Sequence, residues 1–280
     1  MTAIRRATAR KLDTHRTESI SLPDGQHPQY AFRAFHEILL QLKEAKTRFL
    51  LLDLDGTLVR IRKRPEDVRL SKKARTLLAR LATLPNTTVA ILSGRNVQSL
   101  RALVDVQAIR LFGLHGAEQG GKPPRVRGEQ RKALRQAKRS ARRNLMEFPG
   151  INLEDKGYGF TVHYRQAEPA TIERANQALQ ATLAPLRHDL HVLHGKKVWE
   201  VLPRQIPGKG QTMKRVVDDW PAAALAYIGD DEPDEPAFAA LEGHVTIRVG
   251  RNPKTHARFF LQTPGEVLRF LSMLERELRS

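Results

Sequence analysis

From residue 49 onward the chain alternates two hydrophobic patterns. Phe49-Leu50-Leu51-Leu52-Asp53-Leu54 is a continuous apolar run that ends in polar residues. A strand buried on both faces of a parallel sheet reads this way. Residues 71–84 then put Ala74, Leu77, Leu78 and Leu81 on one helical face, with Ser71 as N-cap. A second strand at 89–92 ends in Ser93-Gly94-Arg95, 96–103 reads as a helix, and 109–112 as a third strand. Strand, helix, strand, helix, strand predicts βαβ units in a doubly wound sheet.

The pattern breaks at 119. A basic helix is predicted over 129–148, then strands at 151–154 and 159–164, a helix at 171–183, and strands at 190–193 and 198–202. The first style resumes after Pro207: helix 211–220, buried strand 224–228, short helix 234–241, strand 244–249 and a terminal helix 264–279. The fold class is therefore α/β, a doubly wound Rossmann-like core (48–118 and 205–280) with an inserted α+β cap domain at 119–204. Upstream, the first ~27 residues are polar and aperiodic and read as a tail, while 30–40 has helical spacing.

Composition narrows the chemistry. The chain has 280 residues and no Cys, which removes disulfides, thiolate metal sites and thiol catalysis. No apolar run approaches the ~20 residues of a membrane helix, and no apolar stretch follows the Arg-rich N-terminus as a secretory signal requires. The formal charge of +18 suggests a polyanionic partner, and 119–150 alone carries ten Lys and Arg against two Glu. Yet aromatics are 6% and Phe148 is the one aromatic in that stretch, a poor surface for stacking bases.

The motifs point elsewhere. Asp53-Leu54-Asp55-Gly56-Thr57 follows the first buried strand. Two carboxylates two apart can supply a nucleophile, Asp53, and a general acid and base, Asp55. Gly56 gives the tight turn and lets backbone N–H groups approach an anion. By chance such a string occurs in on the order of 10⁻³ of chains this long. Ser93-Gly94 offers a hydroxyl and amides at a helix start, and Lys209 stands at a helix N-terminus, where a cation opposes the dipole unless an anion binds. Residues 230–235 hold five acidic side chains, which repel one another unless a cation intervenes, and carboxylate oxygens suit Mg²⁺. Helix-start acidity accounts for Asp234 and Glu235 better than for Asp230 and Asp231.

In order and context these motifs resemble the haloacid-dehalogenase superfamily of aspartate-nucleophile phosphatases. The resemblance narrows to the trehalose-6-phosphate phosphatases through Gly113-Leu114-His115-Gly116-Ala117-Glu118, Glu154-Asp155-Lys156, His163-Tyr164-Arg165 and Gly195-Lys196-Lys197-Val198-Trp199-Glu200. It implies a Mg²⁺-dependent phosphatase that cleaves trehalose 6-phosphate through an aspartyl-phosphate. Catalysis would fall to Asp53 and Asp55, and phosphate binding to Gly56, Thr57, Ser93, Gly94 and Lys209. The metal would be held by Asp53, the Asp55 carbonyl and Asp230, with Asp231 nearby, and the sugar by His115, Glu154, Lys156, Arg165, Lys196 and Glu200. One departure is Pro233, where the family pattern has Thr.

Tyr164 and Trp199 read most simply as core aromatics, His163 as a structural residue, and Glu154 with Lys156 as a rival surface salt bridge. The expected partner is a small sugar phosphate, with no nucleic acid and no membrane, for a monomeric cytoplasmic enzyme. The competing readings are the same chemistry on sucrose or mannosyl-glycerate phosphates, a nucleic-acid-binding protein, and a receiver-type phosphorylation domain. A receiver needs neither Asp55 nor an insertion of this size.

Overall fold

The computed structural model describes residues 27–62, 67–120, 122 and 124–279; the expected N-terminal tail lies outside them. The first run of elements is β1 (Gln29–Tyr30), α1 (Phe35–Glu44), β2 (Thr47–Leu52), α2 (Lys72–Ala82), β3 (Thr87–Leu92), α3 (Val97–Val104), β4 (Arg110–Gly113) and β5 (Glu118–Gln119). Then come α4 (Gly128–Leu145), β6 (Asn152–Asp155), β7 (Phe160–His163), α5 (Pro169–Leu183), β8 (Leu190–Gly195) and β9 (Val198–Pro203). The chain closes with α6 (Lys209–Asp219), β10 (Ala223–Gly229), α7 (Glu235–Ala240), β11 (Val245–Val249), β12 (Phe259–Leu261) and α8 (Pro264–Arg279).

The larger sheet runs β1-β12-β11-β10-β2-β3-β4-β5 and is parallel except for the β4–β5 pair. Alternation along β2 explains its apolar run. Leu50 and Leu52 enter one core with Ile38, Leu78, Phe270 and Leu274 from α1, α2 and α8. Phe49 and Leu51 enter another with Met213 of α6 and Phe238 of α7. Both faces of the strand are covered, so no polar residue is tolerated until Asp53. Ser71 caps α2 by accepting the Ala74 amide at 3.2 Å, and Asn96 caps α3 by accepting that of Ser99 at 2.8 Å.

The smaller sheet, β6-β7-β9-β8, is antiparallel throughout. Helices α4 and α5 pack on it through Ala133, Ala137, Ala141, Ala175 and Leu179 against Phe160, Val162, Trp199 and Val201. Trp199 is thus the core aromatic expected, with Tyr164 stacked on it at 4.4 Å between centroids. Helix α4 is strongly amphipathic: its alanines face this core while Lys132, Arg135, Arg139, Arg142 and Arg143 face solvent. No described helix is long and apolar enough to cross a membrane.

One expectation fails, and one strand comes without an expectation. The helix expected over 30–40 starts only at Phe35. Gln29 and Tyr30 are pulled into the sheet against Phe259 and Phe260, and the Tyr30 hydroxyl donates to Glu266 Oε1 at 3.0 Å. The strand β12 that captures them, three residues long, was not anticipated, because so short a run has no readable period.

Candidate active site

Adjacent parallel strands bring their C-terminal ends to one edge. Leu52 pairs with Ile228 of β10 and with Ile91's strand β3, so the residues that follow these strands meet. Asp53, Ser93 and Asp230 are all buried there, and Lys209 joins them from the first turn of α6. Its ammonium donates to Asp53 Oδ1 at 2.7 Å and to Asp234 Oδ1 at 2.6 Å. Asp234 is the hub of the nest. Its Oδ1 also accepts the Tyr227 hydroxyl at 2.5 Å, and its Oδ2 accepts the amides of Asp230 and Asp231, both at 2.9 Å. The bond from the Asp231 amide completes a capping box at the start of the turn Glu232–Asp234, so the helix-start role expected of Asp234 is one part of what it does. Glu235 opens the first turn of α7, as expected of helix-start acidity, and also holds Arg248, Thr255 and the His256 amide together.

Gly56 is required where it stands. Its φ is +92°, and a Cβ there would lie 2.0 Å from Asp230 Oδ2. Thr57 Oγ1 donates to Asp230 Oδ1 at 3.4 Å. Pro233 falls in the short 3₁₀ turn Glu232–Asp234, at a position whose N–H has no partner to lose.

Electrostatics follow from the crowding. Burial, then Asp234 and Asp230, push the Asp53 carboxyl well above the usual carboxylate range, and Lys209 offsets only part of this. Asp230 is pushed up to about 6 by burial and by its acidic neighbours. Burial works against the Lys209 ammonium, yet Asp234 and Asp53 hold its pKa well above the ordinary value. Asp53, Asp230 and Asp234 each present an oxygen within 4.8 Å of the others, a donor set of hard carboxylates.

Of the expected metal set, Asp53 and Asp230 lie in this group. The Asp55 carboxylate instead takes a two-point contact from Arg95, Nε to Oδ2 at 2.6 Å and Nη2 to Oδ1 at 2.9 Å. Asp231 turns toward the β8–β9 turn of the smaller sheet. It accepts the amides of Glu232 at 2.9 Å and Lys196 at 2.6 Å. Ser93 Oγ accepts the Arg95 amide at 3.2 Å. Gly94 sits against the His115 ring, 2.9 Å from where its Cβ would be.

The smaller sheet covers this edge. His115 Nε2 and Glu200 Oε2 are 2.8 Å apart, and Lys156 donates to Glu200 Oε1 at 3.4 Å. Burial alone would push the Glu200 carboxyl up, but Lys156 and His115 hold it far below the usual range. Lys196 reaches across to Asp230. Glu154 pairs with His163 rather than Lys156, at 2.8 Å, so His163 has the structural partner expected of it. Arg165 is exposed and donates to the Lys196 carbonyl at 2.9 Å. His115, Lys156, Lys196 and Glu200 therefore gather at the nest, while Arg165 stays at its rim. Sequence reasoning missed Asp234, Tyr227 and the Arg95–Asp55 contact. A tyrosine inside an otherwise apolar strand was the available signal for Tyr227, since a buried hydroxyl needs an acceptor.

Known proteins place the chain. Residues 51–264 match the family described as Trehalose-phosphatase. A trehalose-phosphate phosphatase of Mycobacterium bovis is 32% identical over 84% of this chain and 63% of its own length, so the chain spans under two thirds of that relative. The trehalose-6-phosphate phosphatase of Escherichia coli is 30% identical over 87% of this chain and 92% of its own. Among solved structures, the C-terminal domain of the Candida albicans trehalose-6-phosphate phosphatase superposes with a TM-score of 0.77 at 26% identity, covering 89% of this chain and 99% of that one. Sequence match, fold and the strand-end position of the motifs agree, and the chain belongs to the trehalose-phosphatase family of the haloacid-dehalogenase superfamily.

Proposed function

We propose that this chain hydrolyses trehalose 6-phosphate to trehalose and phosphate, with residues 119–204 acting as the cap over its core. The observation that carries the reading is the buried nest in which Lys209 bridges Asp53 and Asp234, with His115 and Glu200, the latter joined by Lys156, packed beside Gly94. Asp53 is the nucleophile. One of its oxygens forms a bond to phosphorus as the bond from phosphorus to the sugar oxygen breaks, and Asp55 gives that oxygen its proton. Asp55 then takes a proton from water, the water oxygen bonds phosphorus, and the electron pair of the acyl-phosphate bond returns to Asp53.

The described residues fit Mg²⁺. Asp53 and Asp230 would hold it with the Asp55 carbonyl, and the missing Cβ of Gly56 lets the Asp230 carboxylate lie against that turn. The bound ion would supply positive charge against the phosphoryl oxygens. Lys209, Ser93 and the amides around Gly56, Thr57 and Gly94 orient the phosphate, and Lys209 offsets repulsion between two anions. Asp234 and Tyr227 fix Lys209. Glu200, Lys156, His115 and Lys196 offer the mixed donors and acceptors that a polyhydroxyl ligand demands.

Phosphate release from trehalose 6-phosphate, with Mg²⁺ and after EDTA, tests this. Turnover should require the ion and return with it. Equal catalytic efficiency on glucose 6-phosphate would overturn the assignment of the cap residues.

A further inference from the structure

Arg95 has no part in the chemistry above, yet it makes the one two-point side-chain contact to the proposed acid and base among the described hydrogen bonds. We propose that Arg95 is a positioning residue that fixes the plane and direction of the Asp55 carboxylate for proton transfer. This rests on the phosphatase reading.

The geometry is specific. Nε and Nη2 of one guanidinium edge each meet one oxygen of Asp55, at 2.6 and 2.9 Å. Such a fork fixes carboxylate orientation as a lysine's point charge does not. Each Asp55 oxygen keeps a second lone pair for the proton it must give and take. The arginine is itself anchored. Its amide is bound by Ser93 Oγ at 3.2 Å, and its carbonyl accepts the Leu114 amide at 2.9 Å. The Arg95 side chain is 15% exposed against 33% for Asp55, so the better-buried partner holds the more exposed one. A general acid held within hydrogen-bond reach contributes about 10²–10⁴-fold, and a small misplacement forfeits part of that.

The test compares two substrates. The sugar oxygen of trehalose 6-phosphate leaves badly without a proton, whereas the phenolate of p-nitrophenyl phosphate leaves well without one. In single-turnover experiments, which read release of the leaving group before the shared hydrolysis step, Arg95→Met should slow trehalose 6-phosphate about 10-fold or more, and p-nitrophenyl phosphate by a much smaller factor. Asp55→Asn should show the same asymmetry, and Arg95→Met added to Asp55→Asn should cost nothing further. Arg95→Lys, which keeps the charge without the fork, should recover only part of the loss. Equal losses in leaving-group release on both substrates, a multiplied loss in the double variant, or an effect confined to KM would overturn the assignment. An Asp55→Asn enzyme with undiminished turnover would instead remove the phosphatase mechanism beneath it.

Discussion

Replacing Asp234 with Asn changes one atom and one charge, and the structure fixes what that costs. The two carboxylate oxygens serve two different pairs of donors: Lys209 and Tyr227 on Oδ1, and the amides of Asp230 and Asp231 on Oδ2. An asparagine offers one acceptor oxygen and one NH₂ group. If its oxygen faces the amides, the NH₂ meets the Lys209 ammonium, which can accept nothing. If its oxygen faces Lys209, the NH₂ meets two backbone N–H groups. Either orientation strands a buried donor in a residue that is 0% exposed. Breaking a buried charged pair from one side costs about 3–5 kcal/mol. At about 2–4 °C per kcal/mol for domains of this general size, thermal unfolding should fall by roughly 6–20 °C. Tyr227→Phe removes one donor and leaves Lys209 in place, so it should cost only about 1–2 kcal/mol. Lys209 and the Asp230 backbone shift in Asp234→Asn, and kcat/KM for trehalose 6-phosphate should fall about 100-fold or more. Calorimetry and phosphate release read both effects. An Asp234→Asn protein that melts within about 2 °C of wild type and keeps its activity would refute the hub reasoning.

Three further outcomes follow from the same geometry. Gly56→Ala must place a methyl group 2.0 Å from Asp230 Oδ2 at a φ of +92°, so Mg²⁺ affinity by titration calorimetry should drop sharply while the fold persists; unchanged affinity would mean that Asp230 is not a ligand. Asp230, with its carboxyl raised to about 6, binds a proton in the folded state between about pH 4 and 6 that the unfolded chain does not. Its charge therefore costs stability above that window and none below. In EDTA, Asp230→Asn should melt higher than wild type at pH 7.5, and the advantage should shrink steadily as the pH falls from about 6 to about 4; a pH-independent difference would contradict the shift. Glu200→Gln removes the charge that Lys156 and His115 face, so KM for trehalose 6-phosphate should rise about 10-fold while p-nitrophenyl phosphate is little affected; equal changes on both would show a structural role alone.

Much of this was legible because period and burial coincide. The run through Phe49 and Leu52 could only be a strand with both faces covered, and that alone put Asp53 and Asp55 at the sheet edge where ligands bind. The amphipathic α2 and its Ser71 cap were equally plain. What escaped depended on contacts across the fold. Tyr30 became a strand residue because Phe260 lies beside it, a partner 230 positions later that no local period shows. Asp234 looked like one acid among five, and only the meeting of α6, β10 and the Asp230 loop makes it the acceptor for four donors. Arg95 sat in a quoted motif without a role because its partner, Asp55, follows a different strand.

The most direct test is phosphate release from trehalose 6-phosphate in Mg²⁺ by the wild-type chain beside Asp53→Asn. The wild type should turn over, and the variant should be inactive although it melts as a folded protein. Substantial turnover by Asp53→Asn, or none by the wild type with Mg²⁺ present, would contradict the account.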